Sequence, residues 1–172
     1  VAICNIYDKK GDFNKSIEEL EKIEINSLYR KNPLIFSTVT GNLAYANMKI
    51  GNYKKSLNYY NKSLDAIKSS EVDKNYLFKI INLGEYNLLV HDTINANKYF
   101  NEALFLSKKL KSGREVLRTL KFLSISDKGK DSFYKSEYVR ISDSIVKKQR
   151  ENREKFARIE YETDKVEEEN KV

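Results

Sequence analysis

Apolar positions recur along this chain at two spacings at once. Within short stretches they follow the three- and four-residue steps of an amphipathic helix. Between stretches they return forty residues later: Ile3, Leu43 and Leu83 share one slot, and Cys4, Ala44 and Gly84 share the next, which must therefore be small. Gly11 and Gly51 follow a polar step later, then Phe13 and Tyr53, then Ser16, Ser56 and Ala96, then Leu20, Tyr60 and Phe100. A fixed period of this size predicts a stacked array in which each unit buries its apolar face only against its neighbours.

The middle of the chain reads most clearly. Val39, Leu43, Ala46 and Ile50 predict a helix over 37–50, which Gly51-Asn52 then breaks. Leu57, Tyr60, Leu64 and Ile67 predict a second helix over 53–69, and the short polar link between the two makes them an antiparallel hairpin. The pattern returns over 75–90 and 94–110, with a turn at His91-Asp92-Thr93. His91 stands where Gly11 and Gly51 stand, so a left-handed backbone is expected there, a conformation histidine tolerates better than most residues. A weaker unit comes next, with Leu117, Leu120 and Leu123 on one helix and Tyr134, Tyr138 and Ile141 on its partner. Leu123, Ser124, Phe133 and Ser136 keep the spacing, but Arg140 and Asp143 fall where an aromatic and a small residue belong.

The run 41–67, GNLAYANMKIGNYKKSLNYYNKSLDAI, resembles a tetratricopeptide repeat (TPR). That motif asks for a Leu-small pair, met by Leu43-Ala44 and again by Leu83-Gly84, then a turn residue, an aromatic, a small residue, an aromatic and another small residue. Gly51, Tyr53, Ser56, Tyr60 and Ser63 fill those places, and Ala96, Phe100 and Ala103 fill the last three in the next unit. In the first unit Ile23 replaces the final small residue. The resemblance implies an all-α, right-handed α-solenoid of about four helical hairpins, here with a period of about 40 residues rather than the usual 34. The units fall at about 1–32, 33–71, 72–111 and 112–143, and a charged C-terminal helix or linker occupies 144–172. It further implies that the first helix of each hairpin lines a concave groove. The groove residues would then be Thr38, Asn42, Tyr45 and Lys49 of one unit and Phe78, Asn82, Glu85 and Leu89 of the next. Asn42 and Asn82 would hold the backbone of an extended peptide while the aromatics take its side chains.

Composition removes other classes. Charged residues make up 33% of the 172 and hydrophobic ones 40%, which suits an extended, surface-rich array. The net charge of +7 comes from lysines dispersed along the whole length, a solubility pattern rather than a nucleic-acid footprint. No run approaches the roughly 18 apolar residues of a membrane span. His91 is the only histidine and Cys4 the only cysteine, so no His-based metal site, no catalytic triad and no disulfide framework is expected. Acidic pairs such as Glu18-Glu19 have no distant carboxylate to complete an acid–base set, and there is no glycine-rich phosphate loop. An enzyme is not expected, nor any catalytic residue, metal or cofactor. The expected partner is a protein or peptide.

Beyond 143 the composition turns almost wholly charged or polar. Glu151 with Lys155 and Glu154 with Arg158 are favourable i,i+4 pairs. Ile145, Asn152, Ile159 and Val166 lie seven apart, a coiled-coil seam with a polar residue inside it and a route to self-association. The bland alternative is a solvated helix whose few apolar residues cap the last repeat. The runs 138–145 (YVRISDSI) and 155–164 (KFARIEYETD) are similar to a junction in bacterial membrane-anchored regulators. In that family TPRs precede a helical linker, a transmembrane helix and a LuxR-type helix-turn-helix domain, or in some relatives a histidine-kinase module. The resemblance implies a sensory or regulatory module that signals to transcription, the soluble portion of a membrane-anchored protein, with the periplasm favoured over the cytoplasm. The chain opens inside a repeat's first helix, and Glu167, Glu168 and Glu169 would oppose the dipole of a helix ending there, so a piece of a larger protein is expected. A structural adapter that only holds two proteins together is the alternative.

Overall fold

The computed structural model describes residues 2–23, 31–67 and 74–169. Their regular structure is entirely helical, with no strand among the described residues. Among the described residues eight α-helices succeed one another in chain order: α1 Ala2–Lys10, α2 Phe13–Glu21, α3 Pro33–Lys49, α4 Tyr53–Asp65, α5 Lys74–Leu89, α6 Thr93–Lys109, α7 Gly113–Ser126 and, after a 3-10 turn at Lys128–Lys130, α8 Asp131–Glu169. Each helix packs on the next, and further contacts join α3 to α5 and α5 to α7.

Four links share one geometry. At 50–52 the Gly51 N–H donates to the Met48 carbonyl (3.1 Å) and the Asn52 N–H to the Asn47 carbonyl (2.9 Å). This is a Schellman close, which satisfies carbonyls the helix end would otherwise orphan. The same pair of bonds recurs from Gly11 and Asp12, from His91 and Asp92, and from Lys111 and Ser112. The central residue is left-handed each time, with φ of 78° at Gly11, 82° at Gly51, 64° at His91 and 52° at Lys111. At two of the four the residue after it also caps the next helix with its side chain: Asp12 accepts from the Lys15 N–H (3.3 Å) and Asp92 from the Asn95 N–H (3.0 Å), whereas Asn52 and Ser112 hold the same position without such a bond. The expected left-handed His91 is therefore present. The same turn at Lys111 was not expected, because lysine carries no signal for it.

Helix α3 starts four residues before the expected Ser37. The Asn32 side chain accepts the Ile35 N–H (3.0 Å), and Pro33 takes the first helical position, where its missing N–H costs nothing. The expected helix over 53–69 ends at Asp65, and residues 68–69 lie outside the described residues.

The small slots are close crossings. Between α3 and α4, Ser37 Oγ donates to the Ser63 carbonyl (2.7 Å) and Ser63 Oγ to the Ser37 carbonyl (2.6 Å), while Ser56 Oγ donates to the Ala44 carbonyl (2.8 Å). Between α5 and α6 the hydroxyls give way to Gly84 against Phe100. A Cβ at position 84 would lie under 3.0 Å from three carbons of the Phe100 ring. Phe100 then stacks on Phe122 of α7 (centroids 4.9 Å, planes 6° apart), carrying the core onward with Leu120, Leu123 and Tyr134.

Helix α8 runs 39 residues without a break at 143/144, where a change from repeat to linker was expected. What changes is burial. Tyr134 is buried and Ile141 packs on the same core, whereas from Val146 to Val166 every side chain is exposed. On this arm Arg150 pairs with Glu154 and Arg158 with Glu162, both at 3.0 Å, in place of the expected Glu151–Lys155 and Glu154–Arg158. Glu154 stands four residues from two arginines and takes Arg150, which turns Arg158 towards Glu162. No helix among the described residues is long and apolar enough to cross a membrane.

Candidate functional site

A groove of about 600 Å³ runs across the molecule, lined by α1, α3, α5 and α7 and by none of the helices between them. Helical spacing builds it. Thr38, Asn42 and Tyr45 lie four and three residues apart on α3, Asn75, Phe78 and Asn82 three and four apart on α5, and Arg114 and Arg118 four apart on α7. Each set therefore shows one face of its helix to the groove. The flanking Leu43 and Leu83 are buried in the core behind.

Basic side chains dominate the charged part of the lining. Lys9, Lys79, Arg114 and Arg118 face a single acid, Asp8, whose carboxyl is raised by burial above its ordinary value. Lys79 sits forty residues from Val39 and fills the same core slot, 6% exposed, with its Nζ 3.5 Å from the Asn75 carbonyl. Arg118 is held in place by three partners: its Nη2 donates to Asn82 Oδ1 (2.8 Å) and Glu85 Oε2 (3.0 Å), and its guanidinium lies over the Phe122 ring (5.6 Å). The other Glu85 oxygen accepts from Lys49 Nζ, which also lies over the Tyr45 ring (5.2 Å). Burial pulls the Lys49 ammonium down, but the hydrogen bond and charge of Glu85 outweigh it and hold it above its ordinary value. Glu85 thus ties α3, α5 and α7 together beneath the groove.

Of the eight residues expected to form the site, Thr38, Asn42, Tyr45, Phe78 and Asn82 come together as its lining. Asn42 makes no hydrogen bond to the described residues and Phe78 is 41% exposed, so both present free surface. Asn82 gives its carbonyl to Arg118, and Thr38 spends its hydroxyl proton on the Leu34 carbonyl (2.9 Å). Lys49 and Glu85 pair with each other outside the lining, and Leu89 lies beyond it at the end of α5. The expectation missed Asp8, Lys9, Asn75, Lys79, Arg114 and Arg118. One signal was available for Arg118, which stands forty residues after Phe78 and so occupies its slot.

Nothing in the groove forms a reactive set. Among the described residues no group of three or more His, Cys, Asp or Glu could hold a metal ion. Cys4 is 1% exposed in its small slot, and His91 sits on its turn rather than in the groove. What the arrangement offers is an elongated cationic trough with aromatic walls and an open amide. No family model matches the chain, and no curated protein matches it.

Proposed function

We propose that the chain is a protein- or peptide-binding module, a TPR-like solenoid whose groove takes an extended acidic segment. The observation that carries this is the lining, drawn from alternate helices only, one from each hairpin. Four cations against one acid favour an anionic partner, and the low local dielectric of a groove strengthens that preference. Asn42 supplies a donor and an acceptor for an extended backbone, while Tyr45 and Phe78 offer apolar walls for its side chains. In this reading Asn82, Glu85 and Lys49 are positioning residues that hold Arg118 and Tyr45 in place.

The wider role that the 138–164 resemblance implies, the sensory part of a membrane-anchored regulator, belongs to the same proposal. Its support is α8, which leaves the repeat body as one continuous helix able to carry a change onward. An adapter would bind in the same groove and leave α8 indifferent.

The test is fluorescence anisotropy with labelled extended peptides of matched length, acidic, neutral and basic. The acidic peptide should bind best and weaken as salt is raised. Asn42→Ala and Arg114→Ala should each loosen it by about five- to tenfold while the melting temperature holds. Equal binding of all three peptides, or lost stability with unchanged binding, would reject the groove as the site.

A further inference from the structure

The exposed arm of α8 carries a stripe that the rest of the molecule does not use. Residues 146–169 are 24 in number, about 36 Å of helix at 1.5 Å per residue. Charged side chains crowd this arm, yet Gln149, Asn152, Phe156, Ile159, Thr163 and Val166, spaced three and four apart, are all uncharged. That is the a/d spacing of a coiled-coil seam. It faces solvent: Phe156 is 70% exposed, Val166 55% and Ile159 48%.

Charge along the arm is segregated. Residues 147–158 hold six basic and two acidic side chains, and residues 159–169 hold six acidic and one basic. A second copy lying parallel would set basic half on basic half and acidic half on acidic half. A second copy lying antiparallel sets each half on its opposite.

We infer that the arm of α8 pairs with the same arm of a second copy as an antiparallel coiled coil. The seam fixes the register. Phe156 packs on Ile159 of the other copy, Asn152 meets Thr163 as a polar layer, and Gln149 meets Val166. The flanking positions then pair Arg153 with Glu160 and Lys155 with Glu162, twice each by symmetry, with no like charges opposed. In the parallel alternative Lys148 falls opposite Arg153, and Glu162 opposite Glu167.

A second observation points to the same occupant. At the root of the arm lies a groove of about 700 Å³ lined by Ile145, Lys148 and Gln149 of α8 and by Lys111, Arg114 and Lys121 from the α7 side, with no acidic residue in its lining. In the antiparallel register this is where the other copy's 166–169 end arrives, carrying Glu167, Glu168 and Glu169. The basic groove sets positive charge against these three glutamates. Arg114 and Arg118 line both this groove and the concave one, but no seam residue from Gln149 to Val166 lines the concave groove, so failure of the pairing leaves the peptide-binding reading untouched.

Orientation is tested on the whole chain with Cys4→Ala as background, by mixing the single variants Asn152→Cys and Thr163→Cys under mild oxidation. The expected product is the mixed 152–163 disulfide. Disulfides joining only like positions would show a parallel pair and overturn the inference. Sedimentation supplies the second arm. Arg153→Glu with Lys155→Glu, and separately Glu160→Lys with Glu162→Lys, should each weaken self-association by about tenfold or more, and mixing the two variants should restore it. These positions are solvent-exposed on the arm, so the fold does not depend on them. A wild-type chain that stays monomeric at high micromolar concentration, or a dimer indifferent to both charge variants, overturns the inference.

Discussion

Gly84 leaves no room for even a methyl group, because Phe100 occupies the space a Cβ would need. Gly84→Ala should therefore cost about 1–3 kcal/mol and Gly84→Leu more, since overpacking between two helices is relieved only by moving them. Combining Gly84→Ala with Phe100→Leu should return part of the loss in a denaturant titration. A second prediction concerns alkali. Burial, with a hydrogen bond to Glu102, pushes the Tyr76 phenol up to about 12; burial also holds Tyr60 well above its usual 10.0, and Lys49 is held above 10.5. Each group keeps its proton in the folded chain at a pH where the unfolded chain has lost it. Stability should be flat below about pH 10 and fall as pH rises through the folded values. Tyr60→Phe and Tyr76→Phe should each flatten that fall in melting curves taken from pH 8 to 12. At this scale much was legible in the sequence: the forty-residue register marked Ala44, Ser56, Ser63 and Gly84 as small, and all four sit at crossings. Lys79 was not legible, because its long stem fills Val39's slot as an apolar residue would while its ammonium lines the groove.

At the scale of the element, the four matching turns separate backbone cost from packing cost. Nothing lies within 4 Å of where a Cβ at Gly51 would stand, so Gly51→Ala should cost about 1–2 kcal/mol through its left-handed φ alone. Lys111→Gly relieves the same strain against a larger unfolded-state entropy, and should stabilise the protein by up to about 1 kcal/mol. Urea midpoints of the two variants should move in opposite directions. The pattern of apolar residues marked all the helix pairs from α3 to α6, because each has a buried stripe and a polar break. It missed the Lys111 turn and the true start of α3. Both are decided by backbone hydrogen bonds and caps, to which the apolar stripe is blind. A polar C-terminal helix was expected from 144, but its continuity with the helix before it was not legible for a related reason: hydrophobic spacing ends where burial ends, while the helix continues.

At the scale of the whole molecule, burial assigns the body to residues up to 145 and the arm to the residues beyond. Deleting residues 150–172 should leave the melting temperature of the body within error, because no buried side chain among the described residues is lost. A large fall would make the arm an integral cap. The short links between α5, α6 and α7, at 90–92 and 110–112, also bear on time. Closing so short a loop costs little chain entropy, and contacts between sequence neighbours form early. This block should fold first and present a finished surface. The helices before it, where eleven residues of chain separate α2 from α3 and eight separate α4 from α5, join afterwards. The groove needs α1, α3, α5 and α7 together, so it is the last feature completed, and in the proposed reading only a fully assembled chain would bind its peptide there.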